Sequence, residues 1–159
     1  MSAARPLVPH SEREGAGIDF VRRIISGEIA MVPIGDHLGF RLVEADPGRT
    51  VLLGKPDERS YNLLENVHGG WTAAILDTAM ALATLSTLDD KHGFTTLDIR
   101  INYLRPITAQ TGEVRAEGSV IQGGRKVAYC EAKLLDPAGK LLAHGTGSLL
   151  MMPRAPESP

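Results

Sequence analysis

Apolar positions recur along this chain first at helical and then at strand spacing. Ile18, Val21, Ile24 and Ile25 fall on one side of a 3.6-residue repeat, which predicts a short amphipathic helix ending near Gly27. Residues 39–45 read as a strand. Asp46-Pro47-Gly48 is a turn sequence, and a second strand follows over residues 50–54. The longest helical signal runs from residue 71 to about 88. It is rich in Ala, Leu and Met, with Ala74, Ile75, Ala79, Leu82 and Leu85 among its apolar positions, so it is apolar on most sides and predicted to be buried. Beyond it, residues 95–104 alternate through Leu97, Ile99, Ile101 and Tyr103 until Pro106 ends the run. Residues 113–121 and 125–135 flank a Gln122-Gly123-Gly124 hairpin turn, and Asp136-Pro137-Ala138-Gly139 turns into a last strand over 140–151. The order is helix, two strands, one long helix, four strands. It implies an α+β fold in which an antiparallel sheet wraps around one long central helix, because that arrangement needs no parallel crossovers.

Outside this patterned stretch, residues 1–16 carry Pro6 and Pro9 among polar residues without periodicity and read as a flexible N-terminal arm. Residues 153–159 read as a disordered tail, leaving 17–152 as one domain. A chain of 159 residues is long enough for one real core and too short for a second domain. The formal net charge of −2 offers no basic field for nucleic acid, and 4% aromatic residues leave few stacking platforms for single strands. Cys130 is the only cysteine, which excludes an intramolecular disulfide and a cysteine-based zinc site; its alternating apolar surroundings make it an inert strand residue. No signal peptide is legible, and no apolar run approaches the ~18 residues of a membrane span, so the expected location is cytoplasmic.

The chemistry concentrates between Asn62 and Asp77. Gly69 and Gly70 place unprotected backbone N–H groups at the start of the long helix, where they have no intrahelical partners and the helix dipole favours negative charge. A carbonyl oxygen that becomes an oxyanion suits such a spot. Asp77 stands among Ala73, Ala74, Ile75, Leu76 and Ala79, and an aspartate in an apolar helix needs a compensating partner. The plain reading of such a carboxylate is structural, exposed or bonded to a hydroxyl such as that of Thr78. Gly69 and Asp77 are eight positions apart, roughly 12 Å along a helix, too far for one reacting carbonyl to touch both groups in one chain. Two antiparallel helices from two subunits would bring the Gly69 end of one near Asp77 of the other, and a two-fold dimer would hold two equivalent sites.

Asn62…His68-Gly69-Gly70…Asp77, followed by Thr96-Leu97-Asp98…Tyr103-Leu104-Arg105-Pro106, resembles the hot-dog-fold thioesterases of the phenylacetate-pathway (PaaI) group over about residues 35 to 151. The resemblance implies a hot-dog fold, a homodimer that commonly assembles to a homotetramer, and hydrolysis of acyl-CoA thioesters without a metal or other cofactor. It matches Asp77 to the catalytic carboxylate, acting as general base or nucleophile, and Gly69 to the backbone donor for the carbonyl. Asn62 and His68 match residues that hold water or the thioester, and Thr96 matches a hydroxyl assisting the water. Two departures stand out: Leu64-Glu65-Asn66 occupy a stretch where relatives often carry a glycine, and Trp71 is bulky just after the glycines. Both are expected where an acyl group enters, and so bear on substrate size.

The remaining candidates carry structural readings of their own. His68 beside glycines is, without context, a capping histidine. His10, His37, His92 and His144 show no spacing for a metal. Gly123-Gly124-Arg125-Lys126 is first a hairpin turn; Gly70 and Arg125 are candidate substrate contacts, the latter for CoA phosphates as in relatives. Arg105 is a strand end or a phosphate or interface partner. The function expected is acyl-CoA hydrolysis, with no nucleic-acid or membrane partner. The rivals are an acyl-thioester hydratase or dehydratase on the same fold and a non-catalytic acyl-CoA binder.

Overall fold

The computed structural model describes residues 15–154; the predicted arm over residues 1–14 and the last five residues of the predicted tail lie outside them. Helix α1 (Gly17–Ile25) buries Val21 and Ile24, the inner positions of its repeat. A second helix, α2 (Pro33–Leu38), has Pro33 in its first turn and Gly39 as a left-handed C-cap at φ 74°. Strands β1 (Phe40–Asp46) and β2 (Arg49–Gly54) form a hairpin. Helix α3 (Gly69–Leu85) precedes β3 (His92–Tyr103), β4 (Val114–Gly123), β5 (Val127–Leu135) and β6 (Leu141–Pro153).

The six strands make one sheet in the order β1-β2-β4-β5-β6-β3, antiparallel throughout, with α3 packed against it. The expected α+β hot-dog architecture is therefore present. Period-two burial explains the wrap: Val114, Ala116, Ala128, Cys130, Ala132, Leu134 and Leu149 face inward against Ile75, Leu76 and Met80 of α3. At the crossing the helix backbone almost touches the sheet. A Cβ at Gly118 would stand 2.4 Å from the Ala79 carbonyl oxygen, and the Thr50 hydroxyl donates to that same oxygen at 2.8 Å. Only glycine fits at Gly118.

Several boundaries differ from those the pattern predicts. The long helix begins two residues earlier, with both glycines in its first turn, and ends at Leu85 rather than near residue 88. Ser86 stops it: its hydroxyl donates to the Ala83 carbonyl at 2.7 Å and accepts from the Gly48 N–H at 2.8 Å. The β4–β5 turn falls two residues late, closed by Gly124 N–H donating to Val127 O at 2.9 Å. Strand β6 runs to Pro153, and Arg154 N–H donates to Lys91 O at 2.8 Å, just past the expected domain edge.

The Cys130 thiol is buried on β5, 3.2 Å from the Thr84 hydroxyl, and burial pushes its pKa up. Native protein should leave Cys130 unmodified by an aromatic disulfide reagent and react at one thiol per chain in denaturant. Fast labelling of the native chain would contradict this burial.

Candidate active site

The approach to α3 is a pinned loop. Asn62 N–H donates to Asn66 O at 2.7 Å and Glu65 N–H donates to Asn62 O at 3.1 Å. The Asn62 side-chain oxygen accepts from Leu64 N–H at 2.8 Å and Asn66 N–H at 3.3 Å, an Asx-type turn. Closing so short a loop forces Glu65 into left-handed backbone at φ 60°. A glycine relieves that conformation. Glu65→Gly should stabilise the fold by about 0.5–1 kcal/mol, the left-handed penalty net of glycine's unfolded entropy, and a melting curve shifted upward by ~1–4 °C would register it.

The chain then enters α3. His68 is the N-cap residue, and its Nδ1 accepts from Gly70 N–H at 2.9 Å. The Gly69 N–H finds no acceptor among the described residues, and is the free donor of the helix start. Tyr103, the last residue of β3, lies over this turn and donates from Oη to Gly69 O at 3.1 Å. A side chain at position 69 would crowd Tyr103, which would have to give by a few tenths of an ångström, because a Cβ there would lie 3.3 Å from three atoms of that side chain.

A cleft of about 360 Å³ opens beside this turn, lined in part by Asn62, Asn66, Gly69, Thr72, Tyr103 and Arg105. The Arg105 guanidinium is anchored at its rim by donating to Leu141 O at 2.6 Å. Asp77 does not line this cleft. It sits two turns along α3, half-buried, and its Oδ1 accepts from the Thr96 hydroxyl at 2.9 Å. Thr78 is not its partner, since that hydroxyl donates to Ala74 O at 2.8 Å within the helix. The structure thus brings Asn62, Gly69, Gly70, His68 and Arg105 to one end of α3, and Thr96 to Asp77 at another place. Arg125 stands exposed in the β4–β5 turn, with no hydrogen bond or ion pair to a described residue.

Trp71, expected where an acyl group enters, instead points inward. It is 3% exposed, donates from Nε1 to Leu38 O at 2.8 Å and meets the Phe40 ring edge-on at 6.3 Å. His92 pairs with Asp89 and His144 with Glu131, and no three His, Cys, Asp or Glu side chains among the described residues converge as a metal site. No helix among the described residues is long and apolar enough to cross a membrane. Tyr103, Asn66 and Thr72 were not singled out by sequence as site residues; only the cleft reveals them.

Strand β3 is an edge strand, paired with β6 on one side alone, and twelve residues long. Beyond its pairing, Leu97 bulges out of register and is 54% exposed, and Tyr103 and Leu104 are also exposed. A long edge of this kind, unpaired on one side, is a template for another strand.

Comparison with known proteins gives a consistent neighbourhood. The sequence profile described as the Thioesterase superfamily matches residues 64–143. Acyl-coenzyme A thioesterase 13 of Homo sapiens is 33% identical over 106 residues, covering 65% of this chain and 74% of that protein. Among solved structures, a phenylacetic acid degradation-related protein of Ralstonia eutropha JMP134 superposes with a TM-score of 0.75 at 26% identity, over 82% of this chain and 98% of that one. A mutant of the phenylacetic acid degradation protein PaaI from Thermus thermophilus gives 0.68 at 28% identity, over 75% and 98%.

Proposed function

Because the chain belongs to the thioesterase superfamily, among PaaI-like hot-dog thioester hydrolases, we propose that it hydrolyses acyl-CoA to free acid and CoA at a site shared by two subunits. The observation that carries this reading is the pair of half-sites on one helix: a free Gly69 N–H at the mouth of a cleft, and a carboxylate two turns away that the cleft does not contain. A reacting thioester needs both an oxyanion donor and a group that delivers water. Neither half suffices, and a second copy related by a two-fold axis supplies the other half. Pairing of the exposed β3 edge with its symmetry mate is the contact that would bring the halves together, giving a homodimer that can assemble further to a tetramer.

In the complete site the Gly69 N–H donates to the thioester oxygen and the partner's Asp77 acts on the carbonyl carbon. Asp77 either takes a proton from water as water attacks, or attacks directly to form a mixed anhydride that water then cleaves; in both routes the C–S bond breaks and CoA thiolate leaves. The Thr96 hydroxyl, bonded to Asp77 Oδ1, fixes the carboxylate rotamer and leaves its other oxygen for water. Asn62 shapes the loop at the cleft, and Arg105 and Arg125 are candidate contacts for the CoA phosphates.

The direct test is thiol release from a panel of acyl-CoAs spanning aliphatic, phenylacetyl and hydroxybenzoyl groups. Hydrolysis of at least one class is expected, and inactivity across the panel would count against acyl-CoA as the substrate. A single turnover in heavy-oxygen water separates the two routes, since label enters Asp77 only through the anhydride.

A further inference from the structure

The first turn of α3 carries a hydrogen-bond chain that fixes more than backbone. Gly70 N–H donates to His68 Nδ1 at 2.9 Å. A ring nitrogen that accepts a hydrogen bond holds no proton, so the neutral imidazole keeps its proton on Nε2. The Gly70 N–H and the Gly69 carbonyl belong to one planar amide. That carbonyl accepts from Tyr103 Oη at 3.1 Å. Donation into the amide oxygen and donation from the amide nitrogen polarise the same group, and each strengthens the other. The order is Tyr103 Oη–H, Gly69 C=O, Gly70 N–H, His68 Nδ1. Tyr103 is itself held by strand pairing with Ala143 and lies against Gly69, where any Cβ would meet its ring.

We propose that Tyr103 is a positioning residue that acts through the Gly69–Gly70 peptide to hold His68 as the neutral Nε2–H tautomer. His68 then serves the thioester as a hydrogen-bond donor and not as a base. The catalytic half of this inference rests on the acyl-CoA hydrolase reading; the tautomer does not.

Nitrogen-15 NMR of uniformly labelled protein reads the tautomer directly. The expected result is a proton on His68 Nε2 and a coupling from the Gly70 amide nitrogen across the hydrogen bond to Nδ1. A proton on Nδ1 would overturn the proposal whether or not the protein hydrolyses acyl-CoA. His68→Asn separates the two duties of the side chain, because asparagine caps a helix as well as any residue but offers no group in the place of Nε2–H. It should melt near the parent temperature while kcat falls by about a hundredfold, the scale for one lost transition-state donor. Tyr103→Phe keeps the ring and removes one bond. It should shift the His68 Nδ1 resonance and lower kcat about three- to tenfold, as for one hydrogen bond, with KM unchanged. Parent-like kcat in His68→Asn, or an unmoved Nδ1 resonance in Tyr103→Phe, would refute the arrangement.

Discussion

Replacing Asp77 with Asn should lower kcat for acyl-CoA hydrolysis by at least about a hundredfold, the scale of a lost general base or nucleophile, and leave the fold intact. The substitution is nearly isosteric. The side chain is half-buried, and its recorded partner is the Thr96 hydroxyl, which donates to Oδ1; an asparagine oxygen accepts that bond equally well. What disappears is the ability to hold a proton or to attack carbon. Steady-state rates with an unchanged melting temperature would isolate chemistry from stability. A variant that retains more than a tenth of parental kcat would remove Asp77 from the mechanism.

A larger effect is expected from mixing two inactive proteins. Gly69→Val should be inactive, since its Cβ would lie 3.3 Å from the Tyr103 ring and its branches would close on the donor turn. Asp77→Asn should be inactive as above. In a mixed dimer one site combines the intact Gly69 turn of the Asp77→Asn chain with the intact Asp77 of the Gly69→Val chain, and the other site carries both lesions. Random exchange makes half the dimers mixed, each with one working site of two, so activity should recover to about a quarter of the parent value. Two proteins without measurable turnover would thus yield a readily measured rate. Absence of recovery after unfolding and refolding the mixture together would sink the shared-site reading, because sites contained within single chains cannot complement.

The strands and the central helix were legible because each is decided by a local period that the fold respects: alternation in β4 and β5 puts Ala116, Cys130 and Leu134 inward, where they lie. The failures have tertiary causes. The end of α3 depends on Ser86 receiving the N–H of Gly48, a partner 38 residues away. Helix α2 has six residues, too few for periodicity, and is bounded by Pro33 and a left-handed Gly39. Trp71 looked like a pocket residue by its neighbours in sequence, yet the rotation of α3 sends it toward Leu38 and Phe40.

The candidate site was legible to a different degree. Helix geometry alone separates Gly69 from Asp77, and the cleft that contains one and not the other agrees with that separation. The compensating hydroxyl for Asp77 comes from Thr96 on β3, nineteen residues away, and not from adjacent Thr78. Tyr103 was invisible as a distinct contributor, because a tyrosine at a strand end has no spacing to mark it until the strand is laid over the helix.

The loop over residues 62–66 has a consequence for how such a protein changes over generations. Its shape is set by the Asn62 side chain and by main-chain bonds, while Leu63 and Leu64 project into solvent and support nothing within the chain. Substitutions at these two positions are nearly free of folding cost, so drift can sample them widely beside a fixed Gly69 turn. A lineage carrying this fold can therefore try new surfaces at the mouth of the cleft one residue at a time, without first surviving an unstable ancestor.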